Sequence, residues 1–178
     1  STNEIVKNAG ISRGLLYHYF KDKEELYEVL TRYAIETFVG KINSSIDWDE
    51  PDIFERLKQI AFVKIEVSRV YPKLFNFIVN LFLKENNVQT MEDAYAFYDK
   101  LGINIQELFT NVYQKGIDYS KFKDQEKIGT NMNIIRWTIE KWAEEIMQKS
   151  GGNFTSDDMQ IFGEQIDEYI NALKKAFY

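Results

Sequence analysis

Glu4–Leu26, EIVKNAGISRGLLYHYFKDKEEL, holds the densest structural punctuation in the chain. Ser1 followed by Glu4 has capping-box spacing and starts a helix whose Ile5, Val6 and Ala9 share one face. Gly10 suits the left-handed position just past a helix end, and Ser12 caps the next helix, so the intervening turn is short. The second helix, Arg13–Phe20, turns Leu16 and Phe20 inward at an i, i+4 spacing, leaving Arg13, Gly14, Leu15, Tyr17, His18 and Tyr19 on the outer surface and its margins. Asp22 with Glu25 repeats the capping-box spacing, so a third helix opens at Lys23 with Leu26, Val29, Leu30 and Tyr33 as its buried stripe. Two short helices joined by a tight glycine turn form a helix-turn-helix, the unit that lays its second helix in the major groove of DNA.

The run Ala9–Leu26 closely resembles the AG-[VI]-S-x-G-x-[LI]-Y-x-[YH]-F-x-x-K-E-x-L signature of the TetR family of transcriptional regulators, with the Ser-x-Gly, Tyr-x-Tyr-Phe and Lys-Glu elements in register. Members of that family normally carry an additional helix ahead of this motif, whereas the chain starts inside it, so the resemblance implies a DNA-binding domain lacking its first helix. It also implies a larger helical body that binds an effector and dimerises.

Composition bounds the rest. The chain has 178 residues, 44% hydrophobic and 28% charged, an ordinary globular mixture with room for a sizeable core. Two prolines, nine glycines and long 3.6-residue periodicities point to an all-α fold. The absence of cysteine excludes disulfides and thiolate metal sites, and a single histidine makes other metal centres a poor fit, so no cofactor is expected. No Ser/His/Asp, Glu-x-x-His or phosphate-cradling glycine pattern supports an enzyme, and His18 has no nucleophile or second histidine beside it. The run Leu74–Leu83 is interrupted by Asn76 and Asn80 and is too short to span a bilayer, and no signal-peptide pattern is present, so a cytoplasmic location without membrane contact is expected. Lys7, Arg13, Lys21 and Lys23 against Glu4 and Asp22 give residues 1–23 a charge of +2, leaving −8 for the rest of a chain whose net charge is −6. An acidic body repels phosphates and leaves the small head as the favourable surface for nucleic acid.

Two domains are expected: residues 1–43, the helix-turn-helix head with a linking helix, and residues 44–178, a helical effector-binding and dimerisation domain. In the second, Pro51 lies in the first turn of a helix running to about Val70, and Pro72 opens another to about Glu85. Thr90 with Asp93 starts a long helix ending near Gly116, followed by a loop at 117–124. Gln125–Lys149 forms a helix stopped by Gly151-Gly152, and Thr155 or Ser156 caps the last one.

In the last two helices Ile128, Met132, Ile135, Ile139, Trp142 and Ile146 make one apolar stripe, and Met159, Phe162, Ile166, Ile170, Leu173 and Phe177 another. The resemblance implies that these two helices form a four-helix bundle across a two-fold axis in a homodimer; packing on the subunit's own core is the alternative. A two-fold dimer presents two reading helices and matches a near-palindromic operator in double-stranded DNA.

Arg13 is the candidate for a bidentate contact to guanine or, equally, for a phosphate contact. Thr2, Ser12, Tyr17, His18, Tyr19 and Lys23 match family positions that touch phosphates or bases. Gly14 leaves the backbone approachable, and Leu15 suits either a thymine methyl or its own neighbours. Phe62, Tyr71, Phe75, Phe82, Tyr95, Phe109, Tyr113 and Trp137, with Glu66 among them, belong to an aromatic supply that either fills the core or lines a cavity for a small-molecule effector, and the resemblance favours the cavity. The reading is therefore a ligand-responsive regulator, in this family usually a repressor released by its ligand. The alternative is a helical dimeric interaction protein without DNA binding.

Overall fold

The computed structural model describes the backbone of residues 1–84, 91–151 and 155–178, and the side chains of these except at 82–84 and 91–95. Among the described residues it is all-α. The head is α1 (Thr2–Ala9), α2 (Arg13–Tyr19) and the first turns of α3 (Lys23–Ser45). The body comprises α4 (Ile53–Val70), α5 (Pro72–Lys84), α6 (Met91–Lys100), α7 (Ile105–Tyr113), α8 (Ile128–Lys149) and α9 (Ser156–Phe177). Helix α4 is the axis of the body and packs against α3, α5, α7 and α9, while α8 lies along α9.

The chain meets its helix boundaries with local chemistry. Asp52, and not Pro51, caps α4, its carboxylate accepting from the Phe54 N–H at 2.9 Å; Pro51 stands outside the helix. The expected single helix up to Gly116 is two helices. Gly102, at φ +74°, closes α6, and the Asn104 side chain accepts from the Glu107 N–H at 3.2 Å to open α7. A glycine followed two residues later by a capping asparagine is a stop and a start, and here it outweighs the apolar periodicity. Thr90 lies outside the described residues, and nothing is described of the Asp93 side chain. Residues Tyr119–Lys121 and Gln125–Lys127 form single 3₁₀ turns before α8.

Helix α3 departs from its expected stripe. Leu26 is buried, but Val29, Leu30 and Tyr33 are 42%, 41% and 63% exposed, and the buried positions are Thr31, Ala34, Ile35 and Ile42. The two sets lie on opposite faces of the helix. The body claims the second face, where Ile35 packs with Leu81, Tyr98, Leu101 and Ile103.

The stripes of α8 and α9 also find their partners within the subunit. Ile135, Trp142, Ile146, Phe162, Ile166, Ile170 and Leu173 are buried in the main core with Ile53, Phe54, Leu57 and Ala61 of α4; Ile128, Met132, Ile139 and Phe177 pack on its edge. Met159 joins a neighbouring cluster with Val67, Phe75 and Val79. These stripes are therefore core and not the surface offered to a second copy, because α4 needs an apolar cover along its length and α8 and α9 supply it. Trp142 stacks on Phe162 at 4.6 Å, and its indole N–H donates to Gln165 Oε1 at 3.2 Å, which fixes the register of the two helices.

Two polar devices tie this core together. Arg56 is fully buried; its Nη1 donates to the carbonyls of Asn111 and Lys115 at 2.7 and 2.8 Å, and its Nη2 to those of Trp48, at 3.1 Å, and Glu50. One guanidinium thus satisfies the loop entering α4 and the end of α7 together. Asp52 receives Lys121 at 3.2 Å, Lys174 at 3.3 Å and the Tyr178 hydroxyl at 3.2 Å, joining the start of α4 to the end of α9. Burial alone would raise the Asp52 pKa, but the hydrogen bonds from Lys121 and the Phe54 N–H and the Lys174 charge hold it below the ordinary carboxylate value.

Arg56→Met leaves four partly buried carbonyls without their donor. At about 1–3 kcal/mol for each orphaned group, the expected loss in urea denaturation is at least about 3 kcal/mol, and a loss under about 1 kcal/mol refutes the clamp. A depressed folded pKa at Asp52 means that its contribution is present above the unfolded value of about 3.9 and is lost as pH falls below it. Asp52→Asn is therefore expected to flatten the acid limb of a stability–pH curve and, because the Asp52 charge also raises the pKa values of Lys174 and Tyr178, to alter the alkaline limb as well.

Candidate nucleic-acid interface

The head is built around its turn. The Ser1 hydroxyl accepts from the Glu4 N–H, completing a capping box on α1. Gly10 adopts φ +65°, and the Ile11 N–H returns to the Val6 carbonyl at 3.0 Å. That conformation is strained for any residue with a Cβ, so glycine is required where the chain doubles back. Ser12 Oγ then accepts from the Leu15 N–H at 3.0 Å and starts α2. Leu16 is buried and Phe20 half-buried, which sets the rotation of α2 and turns its other face outward. At the next boundary Asp22 caps α3 through the Glu25 N–H at 2.9 Å, while the Glu25 carboxylate reaches back to the Lys21 N–H at 2.5 Å.

The outward face gathers the residues singled out in the sequence. Ser12, Arg13, Gly14, Leu15, Tyr17, His18, Tyr19 and Lys23 are exposed and Thr2 is half-buried beside them. Tyr19 is the most prominent, 71% exposed, with His18 packed edge-on at 5.3 Å. Arg13 is held in place: its guanidinium lies over the Tyr17 ring, 5.6 Å from the centroid. Thr2 and Arg13 beside the Tyr17 phenol lower its pKa. Tyr17 thereby supports Arg13 within α2. A pre-set guanidinium loses less freedom on meeting a base edge or a phosphate than a free one does.

The aromatic residues expected to share a cavity are dispersed. Phe62 and Trp137 are 57% and 58% exposed. Tyr71 is on the surface beneath the Lys41 ammonium at 5.6 Å, and exposed Glu66 pairs with Arg69 at 3.4 Å. Phe75 belongs to the core beside Val67 and Val79. Phe109 and Tyr113 stack on each other at 6.0 Å on α7, while the side chains of Phe82 and Tyr95 lie outside the described residues. A groove of about 450 Å³ between α4, α5 and the start of α9 is lined by Ile65, Arg69, Pro72, Thr155, Met159 and Gln160, none of them in the expected set. Successive aromatics on one helix point to different faces, so abundance in sequence does not gather them in space.

Sequence reasoning passed over three charged residues in the body. Lys64 lies on the core-facing side of α4, between Ala61 and Val67, and Arg136 and Glu140 sit near it on α8. A lysine in an otherwise apolar stripe at i+3 from Ala61 was the available signal.

The chain is similar in sequence to known regulators. Residues 1–30 match the family model described as bacterial regulatory proteins, tetR family. Over 165 residues the chain is 24% identical to the nucleoid occlusion factor SlmA of Actinobacillus pleuropneumoniae serotype 5b, covering 93% of this chain and 77% of that one. It is 24% identical over 136 residues to the uncharacterized HTH-type transcriptional regulator YfiR of Bacillus subtilis, covering 71% of this chain and 60% of the other. To the HTH-type transcriptional repressor KstR2 of Rhodococcus jostii the identity is 21% over 162 residues, covering 88% and 74%. No solved structure gives a significant match. An all-α chain with an exposed helix-turn-helix is a DNA-binding transcription regulator. Residues 1–30 carry the tetR-family motif, and the likeness to regulators continues along the chain at 21–24% identity.

The cap at Ser12 sets the first turn of α2, so Ser12→Ala is expected to cost about 1 kcal/mol locally and to speed amide exchange along α2 about fivefold. Unchanged exchange in α2 with the rest of the chain folded counts against the cap as the element that orders this face.

Proposed function

We propose that the protein is a homodimeric repressor that reads a near-palindromic operator with α2 and releases it when a small molecule binds the body. The observation that carries the DNA reading is the pre-set Arg13–Tyr17 pair, exposed on an α2 whose other side is anchored by Leu16. Arg13 suits guanine O6 and N7, while Thr2, Ser12, Tyr17, Tyr19 and Lys23 suit phosphates around it. His18 and Leu15 stand at the margin of the same face, and Gly14 leaves the backbone open to approach.

Dimerisation is supported by what α8 and α9 still leave outside after covering the core. Ile134 and Trp137 are 39% and 58% exposed on α8, and Ile161 and Tyr169 are 47% and 37% exposed on α9. These side chains, and not the buried stripes, are the ones offered to a second copy.

Ligand response is supported by the two-faced α3. Tyr27 meets Phe77 of α5 edge-on at 6.0 Å, and Glu28 lies 3.8 Å from Lys100 at the end of α6. A ligand that favours one arrangement of α5 to α7 thereby acts on the helix that carries the head. A coupling of about 1–3 kcal/mol changes operator affinity about 5–150-fold.

Fluorescence anisotropy with the DNA upstream of the gene, at two salt concentrations, tests the DNA reading. Saturable, salt-sensitive binding weakened by Arg13→Ala by about 1–3 kcal/mol is the expected result. Binding no tighter than to random DNA leaves the interaction-protein reading in its place. For the dimer, sedimentation of a Trp137→Glu, Ile134→Glu double variant is expected to show a folded monomer, and an undisturbed dimer removes this face from consideration.

A further inference from the structure

We propose that Lys64, Arg136, Glu140 and Tyr113 form a binding site for an organic carboxylate that carries a hydrogen-bond donor beside its acid group. Its role in regulation rests on the effector reading above; the binding chemistry stands on the cluster itself.

The cluster lies where α4, α7 and α8 meet, between two parts of the hydrophobic core. On one side are Leu57, Ala61, Val112 and Ile135, and on the other Val67, Val79 and Met159. A wholly structural junction there calls for apolar side chains, or for charges paired with one another. The charges present are not matched. Lys64 is half-buried and forms an ion pair with no carboxylate among the described residues. Glu140 places one carboxylate oxygen 3.8 Å from Arg136 Nη1, at the outer limit of an ion pair, and its other oxygen is buried and accepts no hydrogen bond. The Glu140 and Arg136 side chains are 37% and 20% exposed, so the cluster is reachable from solvent.

The electrostatics agree with this placement. Burial pushes the Lys64 pKa down and that of Glu140 up, with each charge partly countering the other's shift. Burial likewise raises the Tyr113 phenol, with the Glu140 charge adding to it and Arg136 opposing, so Tyr113 keeps its proton as a donor.

Two cations stand against one carboxylate. A cationic ligand adds to that excess, and a neutral apolar one leaves both the Lys64 ammonium and the buried Glu140 oxygen unmatched. An acid closes the charge balance on Lys64 and Arg136, with the Tyr113 hydroxyl as a further donor. A hydroxyl on the ligand supplies the hydrogen that Glu140 lacks. Phe109, stacked on Tyr113, gives the ligand's carbon skeleton an apolar wall on the same helix. Helix α7 follows α6 across the Gly102 break, and Leu101 and Ile103 at that break pack on Ile35 of α3, so a ligand held by Tyr113 bears on the element next to the linking helix.

The test is calorimetric titration of the full chain with 4-hydroxybenzoate and 3-hydroxydecanoate, each beside its primary amide, for wild type, Lys64→Arg and Lys64→Met. The expected result is saturable binding of at least one acid, none of its amide, affinity retained in Lys64→Arg and reduced about tenfold or more in Lys64→Met. Circular dichroism melts establish that the variants are folded; should Lys64→Met not fold, Glu140→Gln and Arg136→Gln replace it, with loss expected in the latter. Equal binding of acid and amide, equal binding in a folded Lys64→Met, or no binding of either acid overturns the proposal. Operator release is read separately by anisotropy. Lysine-dependent acid binding without release supports the site and refutes the effector reading, whereas release by amides alone refutes the site and supports that reading.

Discussion

The body depends on the burial of one guanidinium. Arg56 has no exposed surface, and burial lowers its pKa while Glu50 and Asp47 oppose the shift. Its desolvation is tolerable because four backbone carbonyls converge on it, two from the loop entering α4 and two from the last turn of α7 and the residues after it. These partly buried acceptors would otherwise lack a charged donor. Gly116, at φ +72°, brings the chain past the guanidinium, where an added Cβ would lie 3.8 Å from Nη2. With these loops fixed, α4 enters the core at a set angle and α7 ends beside it, and the apolar contacts of α8 and α9 complete what the polar clamp positions.

Helix α3 extends that rigidity to the head. A helix that buries only one stripe belongs to one core, whereas α3 buries Leu26 near its start and, on another face, Ile35 against Leu81, Tyr98, Leu101 and Ile103 of the body. A continuous helix of 23 residues, and not a flexible linker, therefore joins the head to the body. The acidic body and mildly basic head divide the labour electrostatically as well, since only the head attracts phosphate.

Short-range chemistry was legible in the chain. The Ser1–Glu4 box, Gly10, the Ser12 cap and the Asp22 cap each act over a few residues, and the structure forms each of them, so the outward face of α2 follows from local rules alone. Amphipathic periodicity likewise located α8 and α9. What periodicity leaves open is which neighbour an apolar face meets. The stripes of Ile135 and Ile166 are equally suited to a second copy or to α4, and α4 claims them. The face of Val29, Leu30 and Tyr33 reads as core but is passed over in favour of the opposite side of the helix.

The sequence by itself determined an all-α chain, a helix-turn-helix head and the residues that head turns outward, because caps, glycine turns and i, i+4 pairs are settled within one or two helical turns. The tertiary structure alone decided the Arg56 clamp, the scattering of the aromatics and the meeting of Lys64 with Arg136 and Glu140. Lys64 and Glu140 come from helices far apart in the chain, and their proximity depends on how α4 and α8 rotate to bury their apolar faces. No local pattern records that rotation.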